Sequence, residues 1–345
     1  MTLIAEPASR SGGGLRSIAD PVEVAGHGAS AKGLQVDMVE AASSKRIVAP
    51  SGPSYAARRR IEGWLLVVPA LILILGLSIF PLIQSLSLSF QRWDLQSQEH
   101  PFIGLQNYRN ALVDPRVWGA LQNTGIIVVA AVALEFALGL GLALLFVGDF
   151  RGKRFAMPLL MLPVMVVPVV VGLTWRMLWD NQYGPINQVL SWIAGHDVNI
   201  IWLAHRETAI FAMIVTDVWQ WTPFMFLVLL AGLSGVNPEL YEAASLDGAG
   251  WWHSLRDVSL PGISRVIAVA ILFRALDAFK IFDLIFMFTQ GAPGTSTESI
   301  SWYIYQLGFK FFRLGYASAV SFLVVILLSV IATLYVARFV RGADA

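Results

Sequence analysis

Four ionisable residues, Arg274, Asp277, Lys280 and Asp283, recur at every third position inside a stretch apolar enough to cross a bilayer. Hydrocarbon makes an unpaired charge expensive, so ionisable groups within a span mark a solute or ion pathway by default. Neighbours at i and i+3 reach one another on a helix, and the alternating signs let the ladder neutralise itself. Steps of about 300° also walk the set around a helix, so the four cannot all face one partner. Two readings stay open: a helix bordering a water-filled path, or a self-paired strut between neighbouring helices. Asp277, near the middle of the span, favours the path.

A second constellation, Asp217-Val218-Trp219-Gln220-Trp221-Thr222-Pro223, sets flat aromatic faces beside amide and carboxylate groups. That combination suits sugar rings, whose C–H faces stack while their hydroxyls hydrogen-bond. An aromatic belt at the membrane interface is the simpler account of at least one of these tryptophans, and of Trp175 and Trp179 at the end of the preceding stretch. Glu135, the one charge in its span, reads as an internal hydrogen-bonding group rather than a proton carrier.

The elements that must position these residues are membrane helices. With 56% hydrophobic and 14% charged residues and a mean hydropathy of +0.65, the chain does not fit a water-soluble surface. Its net charge of +1 supplies no basic field for nucleic acid, and the absence of cysteine excludes thiolate chemistry and sulfur-ligated metal sites. The sequence has no phosphate-cradling glycine loop ending in Lys-Ser/Thr, no His-Glu-x-x-His and no Gly-x-Ser-x-Gly. We therefore expect no catalytic residues, no metal site and no cofactor bound by this chain. His253 reads as a solvated residue.

A hydrocarbon core of about 30 Å needs roughly 20 helical residues. Six stretches qualify, over residues 63–90, 118–147, 155–178, 208–233, 265–288 and 314–338. Residues 1–57, rich in Gly, Ser and Ala, read as a disordered tail, and 58–345 as the transmembrane domain. The first apolar run begins only after Arg58-Arg59-Arg60, which favours an uncleaved first span. Setting the N-terminus inside puts that cluster and Arg151, Lys153 and Arg154 on the cytoplasmic side. Both termini and the 234–264 loop are then cytoplasmic.

That loop is the one long polar interruption between spans. Asn237 can cap a helix, Pro238 suits its first position, and Glu239 and Glu242 place negative charge near the positive end of its dipole. Gly248 and Gly250 supply a break, after which a second short helical stretch stops at Pro261. Ala243 and Ala244 leave the first helix slim on one side, so another protein can approach its backbone. An amphipathic helix lying on lipid is the alternative, but its carboxylates and small apolar bulk suit anionic headgroups poorly.

Glu242-Ala243-Ala244, three residues, Gly248, nine residues, then Val258-x-Leu260-Pro261 resembles the EAA loop of permeases in binding-protein-dependent ABC importers, with Val258 where Ile is usual. Phe102-Ile103-Gly104-Leu105-Gln106-Asn107-Tyr108, Trp219-Gln220-Trp221-Thr222-Pro223, Leu276-Asp277-Ala278-Phe279-Lys280-Ile281-Phe282-Asp283 and Gln290-Gly291-Ala292-Pro293-Gly294-Thr295 are similar to the carbohydrate branch, of the maltose and glycerol-3-phosphate type.

The resemblance, over about residues 58–340, implies an all-α membrane protein of six transmembrane helices with a cytoplasmic coupling helix between helices 4 and 5. It implies a permease subunit of an ATP-driven importer in a prokaryotic plasma membrane. Its expected partners are a second, similar permease, two copies of a cytoplasmic ATPase carrying the ATP and Mg, and an extracytoplasmic solute-binding protein. Glu242, Ala243, Ala244, Asp247, Gly248, Gly250, Leu260 and Pro261 are expected at the ATPase. Asp217, Trp219, Gln220, Trp221, Arg274, Asp277, Lys280 and Asp283 are expected along the path of a carbohydrate, polyol or glycoside. A stand-alone secondary transporter or channel is the alternative; it leaves a docking loop without purpose.

Overall fold

The computed structural model describes residues 55–94 and 99–340. The tail expected over residues 1–57 thus lies outside the described residues as far as 54. Residues 55–57 already belong to the first helix, α1, Tyr55–Ser89. The chain divides into two units, Met1–Ala70 and Leu71–Ala345. Among the described residues the only extended pairings are two isolated bridges, Gln91 with Phe102 and Asp94 with Arg313.

After α1 come α2, Gln106–Val113, and α3, Pro115–Val147. Asp114 caps α3, its carboxylate accepting the Arg116 amide at 2.9 Å, and Pro115 sits where a missing N–H costs nothing. Helices α4, Lys153–Met165, and α5, Pro168–Leu178, meet at a bend of 94°. The expected third span is therefore not straight. Pro168 disfavours helical backbone at the residue before it, and Val167 is extended, at φ −60 and ψ 133. The Val166 carbonyl at the bend accepts Gln220 Nε2 at 3.1 Å, so a side chain from a later helix satisfies this acceptor where the helix is interrupted.

Next are α6, Pro185–Ala194, and α7, Arg206–Ser234. Then come α8, Pro238–Leu246, and a helical run from Trp251 to Gly262 with a π segment, Ser254–Ser259, at its centre. This run does not stop at Pro261 as expected. It ends one residue later, at Gly262. Last are α9, Ser264–Ala278, α10, Asp283–Phe288, α11, Ile300–Tyr305, and α12, Leu314–Tyr335.

Among the described residues four helices are long and apolar enough to cross a membrane, or five if the bent α4–α5 pair counts as one span. The expected fifth span, 265–288, is broken between α9 and α10. Non-helical backbone at membrane depth survives where it is enclosed by protein or lines a cavity. Here Ser299 Oγ donates to the Ile281 carbonyl at 2.8 Å, supplying a partner that a continuous helix would have supplied itself.

Helices α3 and α7 form the centre. Gly139 lets them touch: a Cβ there would stand 2.9 Å from the Phe226 amide nitrogen. Small residues permit such close approach where lipid offers no hydrophobic drive between helices. Around the contact, Val132, Phe146, Met225, Phe226 and Leu229 make a buried core shared with Ile263 and Ala270. The start of α3 is fastened to the segment after α10. Arg116 reaches Glu298 through Nε at 2.8 Å and Nη2 at 2.6 Å, and Asn123 Nδ2 donates to the Ser296 and Glu298 carbonyls at 2.9 and 3.0 Å.

Candidate functional site: a charged pocket and an exposed capped helix

Arg274 on α9 is the centre of the pocket. Its Nη2 donates to Glu135 Oε1 on α3 at 2.9 Å, and its Nε lies 2.8 Å from Glu135 Oε2. Nη2 also donates to Asp217 Oδ2 on α7. Asp277, one turn along α9, lies 3.6 Å from Nη1. Trp221 presents its ring 4.9 Å from the guanidinium carbon. Three helices thus converge on one planar cation. Arg274 and Glu135 are 1% and 0% exposed, and buried charges persist only when paired and hydrogen-bonded.

The clamp lines one wall of a cavity of about 350 Å³, a volume that falls in the usual range for small-molecule sites. Asp217, Gln220, Trp221, Arg274, Asp277, Lys280 and Asp283 all border it. Contrary to the expectation from a regular helix, all four members of the 274–283 ladder reach one cavity. The cause is the break after Ala278, which takes Lys280 off the helix and starts α10 at Asp283. The ladder is neither purely a strut nor purely a lining. Asp277 bridges Arg274 and Lys280, the latter at 3.3 Å, while Asp283 has no cation partner among the described residues.

Trp219, expected on the path, does not line this cavity; it packs edge-on against Trp175 at 5.5 Å. Trp179, expected in an interfacial belt, is 4% exposed and donates its Nε1 proton to Thr216 Oγ1 at 3.1 Å. Its indole nitrogen is satisfied inside the bundle, so it has no need of the interface. Glu135 is the internal hydrogen-bonding group expected from its span, and its partner is a buried arginine on a distant one, which no local sequence signal names.

The second candidate site is the 237–262 loop. Asn237 Oδ1 accepts the Glu239 amide at 3.1 Å, and Pro238 takes the first turn. The helix ends where Ala249 N donates to the Ala244 carbonyl at 2.9 Å and Gly248 turns left-handed, at φ +79. None of the residues of α8 is buried. Glu242, Ala243, Asp247, Gly248, Gly250 and Pro261 are exposed, and Ala244 and Leu260 half-buried. The Tyr241 hydroxyl lies 3.0 Å from Ser259 Oγ, tying α8 to the π segment that leads into α9. Sequence reasoning passed over Leu246, Trp251 and Trp252, which stand 89%, 69% and 62% exposed on the same loop.

A bundle of membrane-length helices around a small charged cavity, with a capped helix held free at one end, is the build of a membrane transport subunit. Residues 119–344 match the family model described as "Binding-protein-dependent transport system inner membrane component", and the chain belongs to that family. It is 35% identical over 284 residues to the trehalose/maltose transport system permease protein MalF of Thermococcus litoralis, covering 81% of this chain and 94% of that one. It is 36% identical over 306 residues to the trehalose transport system permease protein SugA of Mycobacterium tuberculosis, covering 88% and 96%. A solved bacterial ABC transporter involved in the import of the acidic polysaccharide alginate shares the fold, with a TM-score of 0.72 at 24% identity over 82% of this chain and 96% of that one.

Proposed function

We propose that this chain is the membrane subunit of an ATP-driven ABC importer for a carbohydrate or a related polyol or glycoside. The Arg274 clamp bordering a cavity lined by charged and apolar side chains together carries the reading of the site, since charges are kept at membrane depth where a polar solute must pass. The carbohydrate assignment is supported by relatives at 35% and 36% identity named for trehalose and maltose transport. This chain then supplies one half of the path, and a second, similar permease the other.

In this reading the loop after α7 is the EAA loop and lies in the cytoplasm with both termini, as the Arg58–Arg60 and Arg151–Arg154 clusters favour. Helix α8 docks on a separate ATPase, which binds the ATP and Mg and does the hydrolysis. An extracytoplasmic binding protein delivers the solute at the other side. Closure of the ATPases moves α8, and the Tyr241–Ser259 contact and the π segment pass that motion to α9, which carries Arg274 and Asp277. Transport then needs no bond chemistry in this chain. A stand-alone transporter is disfavoured by a helix without a buried residue on a tightly capped loop.

The test is expression with the neighbouring transport genes, followed by affinity purification through this chain. The expected result is a co-purifying ATPase whose activity rises with the binding protein and its sugar. Uptake by vesicles holding this chain alone, without ATP, overturns the reading.

A further inference from the structure

We propose that the cavity selects by charge, admitting neutral hydroxylated solutes and rejecting those that carry a carboxylate, sulfonate or phosphate. The inference rests on the carbohydrate reading above and narrows it, because kinship leaves the charge of the cargo open.

Three carboxylates, Asp217, Asp277 and Asp283, line the cavity with two cations, Arg274 and Lys280, and Glu135 stands behind Arg274, out of reach of the space. The two cations are also already engaged. Arg274 is held by Glu135, Asp217 and Asp277 together, and its open face is covered by the Trp221 ring. A guanidinium so enclosed has no donor pair left for the fork by which arginine grips an anion. Lys280 is the more accessible, with 72% of its side chain exposed, yet its ammonium stands 3.3 Å from Asp277. Drawing it to an anionic solute uncovers Asp277 in the same cavity. Asp283 carries its charge with no cation partner among the described residues.

An anion entering this space therefore meets an excess of negative charge and no free cation, and like charges brought together in a poorly screened site repel strongly. A neutral sugar meets the opposite situation. Carboxylate oxygens accept hydrogen bonds from hydroxyl pairs, and the indole edge of Trp221 offers apolar contact to C–H groups. The same carboxylates that shut out acids are acceptors for a polyol. Specificity of this kind works by a repulsive element as much as an attractive one.

The experiment uses the complete transporter, both permeases with their ATPase, in nanodiscs without the binding protein, so that delivery does not filter the panel. Equilibrium binding is measured for matched pairs: trehalose, maltose and methyl glucoside against the corresponding uronates and a sulfonated glucoside. The acids should bind at least about tenfold more weakly than their neutral partners, with the gap shrinking as salt rises. Asp283→Asn breaks no ion pair and should narrow the gap at least about threefold; Asp277→Asn with Asp283→Asn should narrow it further. Equal binding of acids and neutral sugars, or a gap untouched by both variants, overturns the charge filter and leaves the carbohydrate reading standing. Absence of binding by every sugar, neutral or acidic, overturns the carbohydrate reading and the filter with it.

Discussion

Arg274 and Glu135, 139 positions apart in sequence, meet at the centre of the bundle with Nε 2.8 Å from Oε2, and this contact joins α9 to α3 where neither charge reaches water. The geometry makes the two partners unequal. Glu135→Gln leaves Arg274 with Asp217 and Asp277, at a cost of about 1–3 kcal/mol. Arg274→Met leaves two buried carboxylates without a cation and should cost about 3–5 kcal/mol. Thermal unfolding of the purified transporter should rank them in that order. Equal destabilisation would mean that Glu135 is the sole anchor and that Asp217 contributes nothing.

Asp277 differs from both because a third of its side chain is exposed to the cavity. Asp277→Asn keeps shape and hydrogen-bonding reach while releasing Lys280. Initial uptake rates in proteoliposomes should fall several-fold while the unfolding midpoint moves by no more than the equivalent of about 1 kcal/mol, the worth of a partly exposed pair. A large drop in stability with normal uptake per folded molecule would assign Asp277 to the scaffold.

At the loop, Gly248 has open space around its Cα, so its requirement is the left-handed backbone at φ +79 rather than room. Gly248→Asn, which tolerates that conformation, should keep coupling close to normal, whereas Gly248→Val should distort the end of α8. Glu242→Lys reverses charge on an exposed face without touching the fold. Both Gly248→Val and Glu242→Lys should lower ATPase co-purification and sugar-stimulated hydrolysis with normal membrane insertion. Undiminished ATPase binding by both would remove α8 from its docking role.

These contrasts also explain what could be read from the chain alone. The cap at Asn237, the first-turn Pro238 and the turn at Gly248 depend on neighbours within a few positions, so residue order was enough. The pocket depends on residues from three helices. A lone Glu135 in one span and a lone Asp217 in another were the available signals, but nothing local said that both would meet Arg274. The break between α9 and α10 was hidden for a related reason: residues 274–288 contain no Gly or Pro. It is held instead by a tertiary bond from Ser299 to the Ile281 carbonyl. The bend at Pro168 carried a local mark, the proline itself, but a proline inside a span permits either a kink or a right-angle turn. Trp179 was misplaced because an indole at a span's end looks the same whether it faces lipid or, as here, a buried threonine.

The N-terminal end of α3 is held by a cluster whose strength depends on pH. Burial works against the Asp114 carboxylate. The Tyr316 hydroxyl at 2.7 Å, the Arg116 amide at 2.9 Å and the Tyr303 hydroxyl at 3.0 Å outweigh it and hold the carboxyl below its ordinary value. A depressed folded value means that its contribution is complete above the unfolded value, about 3.9, and lost as pH falls through the folded one. Burial pushes the Tyr303 phenol up to about 12, and its bond to Asp114 adds to the shift. The sign there is reversed: the contribution is complete below about 10 and lost as pH rises toward 12. The cluster is thus fully engaged across the neutral range and fails at both extremes. Asp114→Ala removes the α3 cap and the one carboxylate oxygen that accepts both tyrosine hydroxyls, and should cost about 1–2 kcal/mol at pH 7. Because the Tyr303 phenol then loses its acceptor, the alkaline fall in the unfolding midpoint should become shallower between pH 10 and 12 than in the wild type. A parallel alkaline profile in the variant would show that Tyr303 is held by burial alone.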